Sequence, residues 1–258
     1  MVRRMCLRMG LLSAVLFALP VQAEETPARF RYCGLDIDYP PYSRVDGSGH
    51  LQYLVGLAVR STGVALELRL APRRRCIEEL KAGLVDGMIG GYSPERAGVA
   101  VFPMAGMQPD VDKSVATPRY YLYRRKGAAL KWNGERFSGQ GEGRIGVESG
   151  FTVIIEQLQR LQVRYDDNAK SLDPNFGKLA AGRLEGVIAM EAEAERLIAR
   201  SYAGLLERAG QPFDETPLYL MLSHQFRARH PAYSARIWQA LQEHRASIGY
   251  RLYQQAHP

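Results

Sequence analysis

A ten-residue segment of this chain occurs twice, 99 positions apart, and that recurrence constrains the fold more than any other feature. Leu80-Lys81-Ala82-Gly83-Leu84-Val85-Asp86-Gly87-Met88-Ile89 is matched by Leu179-Ala180-Ala181-Gly182-Arg183-Leu184-Glu185-Gly186-Val187-Ile188. Each copy reads as a helix end, a glycine at the left-handed cap, and an acid–glycine pair leading into a buried strand. Two copies of one helix-to-strand unit, separated by a domain's worth of chain, point to two similar lobes.

The surrounding sequence alternates strand and helix patterns. Strands are expected over 30–37, 64–70 and 85–89, with helices over 50–61 and 73–82 between them. The alternation resumes with a strand over 144–147, helices over 152–162 and 175–181, and a strand over 187–190. This spacing predicts βαβ units and a mostly parallel sheet in each lobe. Residues 231–255 carry one long helical pattern. The stretch 107–113 has no periodicity and precedes a strand over 115–123, while 216–222 forms a second candidate crossing. A chain that leaves one lobe, builds the other and returns needs two crossings, the geometry of a hinge that closes on a ligand. The expected division is 24–108 with 221–258 as lobe one, and 109–220 as lobe two.

The first 23 residues read as a signal peptide. Arg3, Arg4 and Arg8 precede an apolar run over 11–19 that is short for a membrane span, and Val21-Gln22-Ala23 supplies a cleavage site. Cys6 lies before the apolar run, which excludes a lipid-anchored cysteine. Without the three leader arginines the formal charge falls from +7 to +4, so the basicity that would suggest nucleic-acid binding belongs largely to the leader. Composition, with 46% hydrophobic and 24% charged residues, is that of a globular chain. The mature chain keeps Cys33, in the first strand, and Cys76, in the helix after the second. Neighbouring strands in a doubly wound sheet bring the two within reach, and export favours a disulfide between them.

Candidate binding residues cluster after strand ends, where open α/β sheets take ligands and helix N-termini point. Pro72-Arg73-Arg74-Arg75 opens a helix, where cations oppose the dipole unless an anion is present. Arg73 and Arg75 are the arginines chosen from it. In Gly90-Gly91-Tyr92-Ser93-Pro94-Glu95-Arg96, Ser93 suits an N-cap and Pro94 the first helical position, placing Arg96 in the first turn. The paired glycines let backbone approach a ligand. Glu148-Ser149-Gly150-Phe151-Thr152 repeats the construction in lobe two, with Ser149 or Thr152 as cap or ligand contact. Gly141 to Gly146 fits a dinucleotide fingerprint but follows a polar loop and runs into a strand, so that reading is rejected. No metal spacing and no nucleophile elbow occurs in the sequence, and no cofactor or catalytic residue is assigned. Glu191, Glu193 and Glu195 read as a solvated helix.

Together these motifs resemble the bacterial extracellular solute-binding proteins of family 3, the polar amino-acid-transport type. The resemblance rests on Asp38-Tyr39-Pro40-Pro41-Tyr42, on Asp46 to Gly49, on Leu80 to Gly87, on Ser93-Pro94-Glu95-Arg96, and on Gly182-Arg183-Leu184-Glu185. It implies a two-lobed α/β fold of the type II periplasmic-binding-protein kind, each lobe a mostly parallel sheet flanked by helices, with the ligand cleft between. By it, Arg96 clamps a ligand carboxylate, Thr152 bonds the same group and Tyr39 stacks on the ligand; Tyr42, Gly91, Tyr92, Ser149 and Phe151 complete the expected lining. Three positions depart from the pattern. Gly91 replaces a serine, Met190 stands where an aspartate receives the amine, with Glu191 next to it, and Arg73 stands near an expected aromatic. Arg73 and Arg96 without an assured amine acceptor favour an acidic ligand.

The resemblance further implies a monomeric periplasmic protein, not an enzyme, with a small-molecule ligand and an ABC permease or membrane receptor as partner. Two readings stay beside uptake: a sensor subunit reporting to a receptor, and a dehydratase-type enzyme using Glu148 or Glu191 as acid.

Overall fold

The computed structural model describes residues 26–257; the leader expected over 1–23 lies outside them. In chain order the elements are β1 (Arg29–Leu35), α1 (His50–Ser61), β2 (Ala65–Ala71), α2 (Arg73–Lys81), β3 (Gly87–Gly91), α3 (Pro94–Ala97), β4 (Met104–Ala105) and β5 (Gln108–Pro109). There follow β6 (Tyr120–Arg125), β7 (Lys131–Trp132), β8 (Phe137–Ser138), β9 (Ile145–Glu148), α4 (Thr152–Arg160), β10 (Tyr165–Ala169), α5 (Leu172–Ala180), β11 (Gly186–Met190) and α6 (Glu191–Leu197). The chain ends with β12 (Leu206–Asp214), β13 (Leu218–Leu222), α7 (His224–Arg229), α8 (Pro231–Ala246) and α9 (Ile248–Ala256).

Two sheets organise these elements. The first has strand order β13-β3-β1-β2 and the second β10-β9-β11-β6-β12-β7-β8. The repeated segment occupies the same place in each. In the first sheet β3 lies parallel to β1 and antiparallel to β13, while β1 lies parallel to β2. In the second, β11 lies parallel to β9 and antiparallel to β6, while β9 lies parallel to β10. The helix ends match atom for atom. Gly83 and Gly182 adopt φ of 71° and 73°, and each amide closes the preceding turn onto Leu80 or Leu179 at 3.0 Å. A side chain at either position would be strained in this left-handed conformation. The acid–glycine pair is pinned in both copies, with the Asp86 amide on the Arg31 carbonyl and the Glu185 amide on the Arg144 carbonyl.

The chain passes between the sheets twice. Val115 and Ala116 still bond to Leu218 beside the first sheet, whereas β6 begins the second sheet at Tyr120. On the return, β12 ends in the second sheet at Asp214, and β13 pairs with β3 along its full length from Leu218. The strand expected over 115–123 is thus two pieces in two sheets. We propose lobe boundaries at 116–120 and 214–218 in place of 108 and 220, because a division after 220 would split a hydrogen-bonded strand.

Lobe one packs α1 and α8 on one sheet face. Phe30 meets Phe226 edge-on at 5.2 Å, and the buried Trp238 indole donates to the Leu220 carbonyl at 2.7 Å. Burying side chains of this size contributes about 1.5–3 kcal/mol each. On the other face, Cys33 and Cys76 form a disulfide with Cα atoms 5.7 Å apart. The single long helix expected over 231–255 is two. Ser247 leaves helical geometry at ψ 150° and its hydroxyl accepts from the Tyr250 amide, so it caps α9 rather than continuing α8. No helix among the described residues is long and apolar enough to cross a membrane.

Candidate functional site

A solvent-open cleft with a cavity volume of about 110 Å³ lies between the two sheets. Its walls are the segments that follow β1, β2, β3 and β9, together with the return crossing after β12. Tyr39, Tyr42, Arg73, Gly91, Arg96, Phe151 and Thr152 all line it.

Arg96 is the most constrained of them. Ser93 caps α3 by accepting from the Arg96 amide at 3.1 Å, with Pro94 at the first helical position as expected. This fixes the backbone from which the guanidinium reaches back. Nη1 donates to the Gly91 carbonyl at 3.2 Å, and Nη2 donates to the Thr152 hydroxyl of the opposite lobe. The residue is only 8% exposed, and no carboxylate among the described residues forms an ion pair with it. Burial pulls it down to about 10, well below the usual guanidinium value. The adjacent glycines leave little room for a side chain. A Cβ at Gly90 would stand 2.7 Å from Nη1, and one at Gly91 would stand 3.0 Å from the Thr216 methyl.

Arg73 forms the other basic wall. Its guanidinium lies 3.8 Å from the Phe151 ring centroid and 5.6 Å from that of Tyr39, a cation–π arrangement. It donates to the Ser149 carbonyl at 2.9 Å and stands 4.0 Å from Glu148 Oε1. Gly150, at φ 80°, lets the Arg73 stem pass, since a Cβ there would meet its Cγ at 3.1 Å. Tyr39 and Tyr120 meet hydroxyl to hydroxyl at 3.3 Å, and both pack on Phe151. Behind this aromatic floor, burial and the charge of Glu193 push the Glu148 carboxyl well up; Arg73 acts in the opposite direction.

Other expected contacts sit elsewhere. Arg75 turns back along α2 to bond Glu79 at 2.8 Å and is largely exposed. Tyr92 packs edge-on against Phe102 in the lobe-one core. Ser149 lines a neighbouring cavity, contributing its carbonyl to Arg73, and neither it nor Thr152 caps α4, whose N-cap is Phe151. Met190 is buried in the lobe-two core. Glu191 is held by Arg119 at 2.6 Å and Arg208 at 2.5 Å. Glu193 lies on no solvated face: burial raises its carboxyl to about 7.

Sequence reasoning assigned no role to Tyr120, Asp214 or Thr216, all of which line the cleft. The available signal was the crossing at 216–222, since segments that join two lobes border the space between them. No group of three or more His, Cys, Asp or Glu side chains among the described residues is placed to hold a metal ion.

No protein-family model matches the chain, and no curated protein matches it by sequence. Solved structures do match. The GluR0 ligand-binding core from Nostoc punctiforme, in complex with L-glutamate, has a TM-score of 0.69 at 14% identity, covering 88% of this chain and 98% of that one. An ancestral arginine-binding protein, solved with glutamine and with arginine, has a TM-score of 0.68 at 17% identity, covering 90% and 99%. A histidine kinase sensor domain with similarity to periplasmic binding proteins has a TM-score of 0.70 at 16% identity, covering 89% and 96%. Identities this low speak to architecture alone, and with the two sheets and the intervening cleft they establish that this chain has the two-lobed type II periplasmic-binding-protein fold.

Proposed function

We propose that the protein captures a small carboxylate-bearing ligand between its lobes. The observation that carries this reading is Arg96. It is a buried cation in the cleft wall with no ion pair among the described residues; it bonds the neutral Gly91 carbonyl and Thr152 hydroxyl, and Glu156 acts on it only as a nearby charge. An incoming carboxylate supplies the missing counter-charge in a charge-assisted, bidentate geometry that suits a guanidinium. Because Arg96 and Thr152 belong to opposite lobes, one anion bridging them binds and closes the cleft together. Arg73 adds a second positive wall, which favours neutral or acidic ligands over polyamines.

In this reading residues 1–23 direct export, the protein works as a periplasmic monomer, and the closed form is delivered to an ABC-type permease. Three structures similar to this chain are solved with glutamate, glutamine or arginine bound, which supports an amino-acid-like ligand. A sensor role is the second reading, favoured by the likeness to a kinase sensor domain; capture of a membrane receptor rather than a permease distinguishes it. Neither Glu148 nor Glu191, the acids of the enzymatic reading, is among the residues that line the cleft.

The test is a thermal-shift screen of the chain from residue 24 with amino acids, dicarboxylates and polyamines. A ligand at a hundredfold excess over Kd stabilises by about 2.7 kcal/mol. The expected result is a shift with carboxylates that Arg96→Ala abolishes. A screen answered only by polyamines, or a shift that survives in Arg96→Ala, overturns the proposal.

A further inference from the structure

We infer that Asp214 is the acceptor for a positively charged nitrogen on the ligand, which makes the cleft selective for zwitterions over simple carboxylates. This rests on the reading of Arg96 as the carboxylate anchor. Asp214 closes β12 where the chain returns between the lobes, and it lines the cleft.

The surroundings of Asp214 orient its carboxylate without neutralising it. Oδ1 accepts from Gln157 Nε2 at 2.5 Å and from the Thr216 hydroxyl at 2.6 Å, and Oδ2 accepts from the Thr216 amide at 2.9 Å. All three donors are neutral, and no cation among the described residues pairs with it. A carboxylate offers about four acceptor positions, so these bonds leave room for one more donor. The arrangement is that of a built acceptor with its charge left over.

Arg96 and Asp214 are placed as a pair. Helix α4 touches both, through Thr152 to Arg96 and through Gln157 to Asp214. Those two helix positions are about 7.5 Å apart along the axis at 1.5 Å per residue. Thr216, which bonds Asp214, crowds Gly91, whose carbonyl accepts from Arg96. Both residues border the same cleft, so a single small molecule carrying an acid and an amine can meet both. The third charge on the cleft wall, Arg73, stands 4.0 Å from a Glu148 carboxyl that burial pushes up, so it remains a second cation, and Asp214 is the acid among the lining residues. The position expected to receive an amine, Met190, is apolar and buried, and its acidic neighbour Glu191 is already held by two arginines. Asp214 supplies from the return crossing what that strand end lacks.

The experiment is calorimetric titration of the wild type, Asp214→Asn and Arg96→Ala with the twenty common amino acids. It includes the desamino counterpart of each amino acid that binds, for example glutarate for glutamate. Asparagine keeps an oxygen for the Thr216 amide, and matching thermal melts check that the variant folds. In the wild type the desamino compound is expected to bind at least thirtyfold more weakly than its amino acid. In Asp214→Asn the two are expected to agree within about threefold, because the amino acid loses what the amine contributed. Arg96→Ala abolishes both. Equal binding of amino acid and desamino counterpart by the wild type overturns the role of Asp214 and leaves the carboxylate reading standing. So does an Asp214→Asn protein that keeps its amino-acid affinity while Arg96→Ala loses it, and so does a wild type that binds glutarate or succinate but no amino acid. If no carboxylate binds the wild type, the reading of Arg96 fails and this inference fails with it.

Discussion

Replacing Arg96 by methionine separates the cost of holding this cation from its use. Methionine has nearly the volume of arginine but is shorter, so the apolar part of the packing is largely kept while the charge is removed. In the ligand-free protein burial pulls the guanidinium down to about 10, which amounts to about 3 kcal/mol against the charged form. The variant also loses the bonds to the Gly91 carbonyl and the Thr152 hydroxyl, each worth about 1 kcal/mol net. The difference leaves the ligand-free variant as stable as the wild type or more stable by about 1 kcal/mol, a rise of about 2–4 °C in a chain of this size. Binding moves the other way. Removing one partner of a desolvated, hydrogen-bonded charge pair costs about 2–5 kcal/mol, a loss of at least about thirtyfold in affinity. The assays are a thermal melt without ligand and a titration with the strongest carboxylate from the screen. A ligand-free melting temperature lowered by more than about 5 °C would make Arg96 a structural tie between the lobes. Unchanged affinity would remove it from the ligand. Either result refutes the reasoning.

Three further outcomes follow from the same surroundings. Glu148 is raised from 4.5 to about 8 by burial and by the charge of Glu193, so the folded state binds more protons than the unfolded one within that window. Stability should therefore fall as pH rises from about 5 to 8, and urea melts of Glu148→Gln should show a flatter profile; an identical slope in the variant excludes Glu148 as the cause. The Cys33–Cys76 bridge closes a separation of 43 residues, for which chain entropy gives up to about 4 kcal/mol. Mass spectrometry without reductant should find both thiols unavailable to alkylation, and the Cys33→Ala/Cys76→Ala protein should melt lower. Arg73→Ala vacates the face of Phe151, and in competition titrations it should weaken acidic ligands by about tenfold, the scale of a cation partner, while admitting ligands with cationic side chains. An unchanged order of preference in that variant argues that Arg73 serves only its contacts with Phe151 and Ser149.

The local signals in the sequence translated into structure where short-range chemistry decides the outcome. The two glycine caps, the Ser93–Pro94 helix start and α1 follow from backbone preferences, and the repeat exposed a shared strand order that no single motif contains. The second-lobe strands β10 and β12 gave no such signal. Tyr165–Ala169 and Leu206–Asp214 are rich in polar residues, and β12 is interrupted by Gly210 at φ 97° and by register shifts around Pro212, so no period of two survives to be read. The basic run 73–75 illustrates a different limit. Successive helical residues point about 100° apart, so three arginines cannot share one target. Arg73 enters the cleft, Arg74 bonds Asp167 across the rim, and Arg75 folds back on Glu79. Composition located the charge but only tertiary structure divided it.

Asp214 was illegible for the same reason that makes it useful. It belongs to neither repeat and precedes no helix, and its neighbours Glu215 and Thr216 look like ordinary turn chemistry. Its place in the cleft arises only because the chain must come back from lobe two to complete the sheet of lobe one. Among the described residues the lobes meet without ligand through Tyr39 on Tyr120 and Phe151, Arg73 on Phe151, Glu148 and the Ser149 carbonyl, Arg74 on Asp167, and Arg96 on Thr152. A ligand shifts the equilibrium toward closure only by binding the closed form better. A carboxylate on Arg96 and Thr152 joins one lobe to the other, whereas an amine on Asp214 fastens the ligand to the crossing itself. In the proposed reading the two charged anchors therefore have different mechanical consequences, with Arg96 coupling binding to closure and Asp214 selecting which molecule is present when closure occurs.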